Sequence, residues 1–138
     1  MFSYKVETLV NAPLEKVWDA LTKPELVKQY MFGTDMSVTA WEVGGSISYK
    51  GQWEGKAYED KGKILAFEPQ KLLKASYWSS MGGKEDKPEN YEITTYSLSE
   101  ENGQTKLSII HETPEKGNES TNNWQMVLDG LKKVVEKK

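Results

Sequence analysis

The chain has 138 residues and about 15.7 kDa, with 37% hydrophobic and 28% charged residues, a composition that suits one globular domain over residues 1–138. All 18 basic residues are lysines, set against 21 acidic residues for a net charge of -3, which argues against a nucleic-acid partner, since phosphate and guanine recognition draws on a basic, usually arginine-bearing, face. The absence of cysteine removes disulfides, thiolate nucleophiles and cysteine metal clusters, no apolar run approaches the ~18 residues of a membrane span, and the start MFSYKVETLV lacks a basic-then-apolar leader, so a cytoplasmic location is expected.

In chain order, residues 3–10 read as a strand that ends before Asn11-Ala12-Pro13. Leu14, Val17, Trp18 and Leu21 fall at i, i+3, i+4 and i+7, which predicts a short amphipathic helix. Thr22 and Glu25 form a capping-box pattern ahead of a second short helix, with Pro24 in its first turn, Leu26, Val27, Tyr30 and Met31 as its stripe and Gly33 at its end. Strands are expected at 37–42, 46–53, 56–67, 71–78, 90–99 and 104–112. Turn signals separate them at Gly44-Gly45, Gly55, Glu68-Pro69, Met81-Gly82-Gly83 and Glu101-Asn102-Gly103, the Asn-Gly pair being a strong hairpin signal. The polar stretch 79–90 reads as a loop between strands, and its Glu85-Asp86 pair as solvated. A long helix closes the chain, with Asn118, Ser120 or Thr121 as cap and Trp124, Val127, Leu128, Leu131, Val134 and Val135 on one face. Gly130 lies off that stripe, at a cost of up to ~1 kcal/mol relative to alanine, and the sequence offers no reason for it. Lysines 132, 133, 137 and 138 suit the negative end of this helix. Strands joined by short turns pair antiparallel, and their apolar face calls for a cover that only the last helix is long enough to supply.

Several motifs, in this order, resemble one fold family. They are Asn11-Ala12-Pro13 with Val17-Trp18 and Ala20-Leu21-Thr22, Pro24-Glu25-Leu26, Gly44-Gly45, the Gly62 to Pro69 strand, Thr105-Lys106-Leu107 through His111-Glu112, and Trp124 with Leu128 and Leu131. Together they resemble the helix-grip fold of the START and pollen-allergen superfamily, and within it the family named after the activator of the ninety-kilodalton heat-shock protein ATPase. The resemblance implies an α+β fold in which a curved antiparallel sheet wraps a long C-terminal helix, with two short helices after the first strand. It also implies a cavity between sheet and helix that holds a small hydrophobic molecule, lipid-like or flavonoid-like, while a few superfamily members are cyclases or hydrolases. The eukaryotic co-chaperone carries an additional N-terminal domain; this chain begins at the first strand, which argues against a chaperone partner.

Strand alternation places Leu107, Ile109 and His111 on the face toward the helix, with Ile47 and Tyr49, Leu73, Ala75 and Tyr77, and Thr94, Tyr96 and Leu98 beside them. For 62–67 both faces are apolar and periodicity does not choose. The residues expected to meet a ligand are Met31, Ile47, Tyr49, Tyr77, Tyr96, Ile109, His111, Trp124 and Leu128. Five tryptophans and seven tyrosines suit a pocket with apolar walls and a few polar tips, though each residue taken alone better suits a packed core whose hydroxyls find partners. The single histidine, His111, is the one side chain with an ordinary pKa near neutrality. It reads as structural or ligand-orienting, with catalysis alongside a tyrosine or carboxylate as the alternative. There is no HExxH, P-loop or GxGxxG pattern, and the reading is a non-enzymatic binder with no catalytic residue, metal or cofactor. Exposed Trp41, Trp53 or Trp78 would instead serve a homodimer or another interaction surface.

Overall fold

Period-two burial in one strand fixes which side of the sheet becomes the interior. The computed structural model describes residues 2–30, 34–53, 55–79, 85–113 and 120–136. Its elements are β1 (Phe2–Val10), α1 (Leu14–Thr22), α2 (Pro24–Tyr30), β2 (Asp35–Val38), β3 (Ser46–Trp53), β4 (Lys56–Glu68), β5 (Leu72–Ser79), β6 (Glu92–Glu101), β7 (Gln104–Thr113) and α3 (Ser120–Glu136), with a 3₁₀ turn at Pro88–Asn90. In β7, Thr105, Leu107, Ile109, His111 and Thr113 are buried while the residues between them are not. Seven strands form one curved antiparallel sheet in the order β1-β7-β6-β5-β4-β3-β2. This is the expected α+β helix-grip architecture.

Directly opposed residues share a face, so the register carries β7's inward side across the sheet. Val6, Ile109, Tyr96 and Leu73 form one cross-strand row, and Tyr4, His111, Thr94 and Ala75 the next. Leu73 in turn opposes Phe67, and Ala75 opposes Ile64. Farther along, Tyr77 opposes Glu92, and Tyr49 opposes Asp60 on one side and Met36 on the other. The ambiguity over 62–67 has a physical cause: the register shifts between Ile64 and Ala66. This bulge changes the strand's parity, so both Ile64 and Phe67 reach the interior while Leu65 is left 43% exposed. The β4–β5 pair also approaches closely at Gly62, where a Cβ would lie 1.7 Å from the Ser76 carbonyl oxygen.

The helices cover this face. α3 packs on β1 and β7 and against α1 and α2, and α2 also meets β2. Val17, Trp18, Leu21, Val27, Leu128, Leu131 and Val135 are buried against the sheet's inner residues, each full burial of such a side chain contributing about 1.5–3 kcal/mol. Trp18 lies 5.7 Å from Phe67 and Trp41 stacks on the same ring at 5.9 Å. Gly130, unexplained by α3's own stripe, faces α2: a Cβ there would sit 3.1 Å from the Tyr30 Cβ. At the far end, Asn11 donates its backbone N–H to Glu136 Oε2 at 3.0 Å, and Thr105 Oγ1 donates to the Ala12 carbonyl at 2.8 Å.

Three local expectations are corrected. The strand expected over 37–42 stops at Val38, and a turn follows, closed by the Glu42 and Gly45 N–H groups donating to the Ala40 and Glu42 carbonyls. Gly44 there has φ +93°, and a Cβ on Gly45 would strike the Ala40 oxygen. Trp41 is therefore a turn residue packed on the core, not part of an edge strand. Thr22 does not cap α2; its hydroxyl donates back to the Trp18 carbonyl at 2.9 Å and finishes α1. The Glu85-Asp86 pair is not merely solvated: Asp86 pairs with Lys61 and accepts the Tyr91 hydroxyl, both at 2.5 Å. By contrast, Asn102 and Gly103 take φ +50° and +81° as the hairpin signal requires. Gly33, the Met81-Gly82-Gly83 turn, the cap at Asn118 and lysines 137 and 138 lie outside the described residues.

Candidate functional site

The sheet's inner face and the three helices meet around a narrow gap. Leu21 of α1, Val27 and Tyr30 of α2, Tyr49 of β3, Leu73 of β5, Tyr96 of β6, Ile109 of β7, and Val127 and Leu131 of α3 line it. Its volume is about 10 Å³, room for about one water molecule. Three of the nine residues expected to meet a ligand, Tyr49, Tyr96 and Ile109, line this gap. Ile47 is buried on the same sheet face, and Leu128 is fully buried in the core. Tyr77 shares the inner face but reaches toward Asp60. His111 is buried on the same inner face, one cross-strand row from the gap-lining Ile109 and Tyr96. Met31 and the side chain of Trp124 lie outside the described residues. Sequence reasoning left Leu21, Val27, Tyr30, Leu73, Val127 and Leu131 off the ligand set, although their periodic stripes mark them as inward.

The walls are apolar and their polar tips are phenols. The Tyr30 hydroxyl donates to the Ala20 carbonyl at 2.5 Å, and the Tyr77 hydroxyl donates to Asp60 Oδ2 at 2.7 Å. Loss of water around the hydroxyl, with the Asp60 charge second, pushes Tyr49 up to about 12. The same desolvation raises Tyr30, Tyr77 and Tyr96, and the phenols raise one another. All four therefore stay neutral at physiological pH, able to donate and accept hydrogen bonds but not to act as phenolate bases. Asp60 is the polar residue that sequence reasoning missed. It becomes visible only through the register that sets it opposite Tyr49.

His111 belongs to a separate polar cluster. Its ring is 2% exposed; Nε2 lies 2.5 Å from Glu92 Oε2, and Nδ1 lies 3.2 Å from Thr94 Oγ1. Thr113 Oγ1 donates to Glu92 Oε1 at 3.2 Å. The ring tautomer sets whether Nδ1 accepts from or donates to the Thr94 hydroxyl. Glu112, its chain neighbour, sits on the opposite face.

The outward tryptophan is likewise engaged. Trp78 Nε1 donates to the Glu85 carbonyl at 3.1 Å, the ring stacks on Tyr91 at 6.5 Å, and Lys61 Nζ sits 5.4 Å from its centroid. The side chain of Trp53 lies outside the described residues. Among the described residues, no group of three or more His, Asp or Glu side chains is placed to hold a metal ion, and no helix is long and apolar enough to cross a membrane.

Comparison with known proteins agrees with the fold. The family model described as Activator of Hsp90 ATPase homolog 1-like protein matches residues 11–136. The solution structure of ChR145 from Cytophaga hutchinsonii is 42% identical, with a TM-score of 0.83, over 99% of this chain and 94% of that one. CalU16 from Micromonospora echinospora is 26% identical, with a TM-score of 0.77, over 98% of this chain and 76% of that one. The Aha1 dimer from Colwellia psychrerythraea, 20% identical with a TM-score of 0.77 over 99% and 98% of the two chains, shares the fold. Among curated proteins, no relative matches.

Proposed function

This chain belongs to the Activator of Hsp90 ATPase homolog 1-like protein family, and from that membership we propose that it binds a small hydrophobic molecule, aromatic or lipid-like, between the inner face of its sheet and α3, without acting on it chemically. The observation that carries this reading is the wall itself. Tyr30, Tyr49 and Tyr96 converge with Leu21, Val27, Leu73, Ile109, Val127 and Leu131 on one gap. Apolar surface with a few neutral hydrogen-bonding tips is the usual make-up of a small-molecule site.

At about 10 Å³ the gap holds about one water molecule, and in this proposal a guest enters by parting α2 and α3 from the sheet. α2 is seven residues long and seats its Tyr30 against Gly130 of α3. A molecule that binds the parted state shifts the population toward it, and its apparent affinity is reduced by the cost of parting. A non-catalytic role is favoured because the four phenols are held neutral and His111 is engaged by Glu92 and Thr94.

The test is thermal unfolding against a panel of flat aromatic and fatty-acyl compounds. A binder present at one hundred times its Kd adds about 2.7 kcal/mol of stability and raises Tm by about 5 °C or more. A broad panel that moves neither Tm nor tryptophan emission removes the binding reading.

A further inference from the structure

Beside the gap, though not among the residues that line it, lies a carboxylate oxygen without a hydrogen-bond partner among the described residues. Asp60 stands opposite Tyr49 in the β3–β4 pair, so its side chain rises from the sheet on the same face, with Cβ atoms about 5 Å apart. Its Oδ2 accepts the Tyr77 hydroxyl at 2.7 Å. Its Oδ1 is covered from solvent and has no hydrogen-bond partner among the described residues. The neighbouring cation does not serve it, because Lys61 emerges on the other face and pairs with Asp86. A buried acceptor left without a donor costs about 1–3 kcal/mol, and more when it is charged. Tyr49, one wall of the gap, is thus continuous with an acceptor that lacks a donor.

We propose that the bound molecule is an aromatic alcohol whose hydroxyl donates to Asp60 Oδ1 while its ring lies against Tyr49 and Tyr96. This rests on the binding reading above and narrows it to one chemical class. Tyr77 fixes the carboxylate by occupying Oδ2, so the ligand's donor has a single acceptor to meet. A neutral hydroxyl suits the site better than an ammonium, which brings its own desolvation cost into walls of tyrosine and aliphatic side chains. A ring without a donor gains the apolar contact and leaves Oδ1 as it was.

Isothermal titration of the full chain with hydroxynaphthalene and with methoxynaphthalene tests this, since the two differ in the donor alone. The hydroxy compound is expected to bind at least about tenfold more tightly, the size of a hydrogen bond to a charged group. In Asp60→Asn the preference is expected to shrink to within about twofold, because the amide offers a donor where the carboxylate oxygen stood. Equal affinity of the two compounds for the unaltered chain overturns the inference and leaves hydrophobic binding standing. A preference that persists undiminished in Asp60→Asn also overturns it, because the selecting acceptor then lies elsewhere. Failure of the unaltered chain to bind either compound removes this inference, and the thermal panel then decides whether the broader binding reading falls with it. The comparison of the two ligands on the unaltered chain needs no variant to fold.

Discussion

Tyr49 shows how a single side chain couples burial, charge and pH in this protein. Desolvation and the Asp60 carboxylate raise its folded-state value from 10.0 to about 12. A group whose value is raised on folding contributes stability that is fully present below the unfolded value and is lost as pH rises through the folded one. Tyr30, Tyr77 and Tyr96 shift in the same direction, so their contributions are lost together on the alkaline side. Urea unfolding is expected to show stability falling between pH 10 and pH 12, and Tyr49→Phe is expected to make that fall shallower. An unchanged alkaline slope in the variant contradicts the assignment. The inward placement of Tyr49 was legible from alternation with Ser48 and Lys50. The identity of its charged neighbour was not, because Asp60 lies eleven positions on and only the hairpin register brings the two together. Gly130 was illegible for a related reason: its cause is the Tyr30 Cβ at 3.1 Å on another helix, outside any pattern internal to α3.

At the level of elements, helix stripes and strand alternation carried most of the information. The apolar spacing of Leu14, Val17, Trp18 and Leu21 matches α1, and the Asn102-Gly103 pair matches the β6–β7 hairpin. The misjudged places were those where local chemistry had two outlets. Thr22 had a choice between starting α2 and ending α1, and its bond to the Trp18 carbonyl settles on the latter. Residues 39–42 had strand-like composition, but the glycines after them close a turn that turns Trp41 onto Phe67. That ring joins Trp18 of α1, Phe67 of β4 and the turn into one aromatic cluster, with centroid separations of 5.7 and 5.9 Å. Trp18→Ala removes the cluster's helical member and leaves a cavity beneath α1, so it is expected to cost about 3–5 kcal/mol in chemical denaturation. A loss under 1 kcal/mol would mean that α1 is not anchored through this cluster.

For the whole molecule, the order of strands and helices follows from the sequence because each turn signal and each stripe points to the same α+β architecture, and consistency across levels is what specifies a fold. The volume of the space under α3 does not follow in the same way. A void is what packing leaves behind, and it depends on a few ångströms in how α2 and α3 settle on the sheet, which no residue pattern encodes. In the proposed complex this gap, about 10 Å³ in the free chain, opens to hold a flat apolar guest. The most direct measurement is a set of intermolecular nuclear Overhauser contacts between bound hydroxynaphthalene and the methyl groups of the chain. Contacts to Val27, Leu73, Ile109 and Leu131, whose side chains line the gap from both sides, are the predicted result. Contacts confined to the exposed methyls of Leu9, Val43 and Leu65 would contradict it.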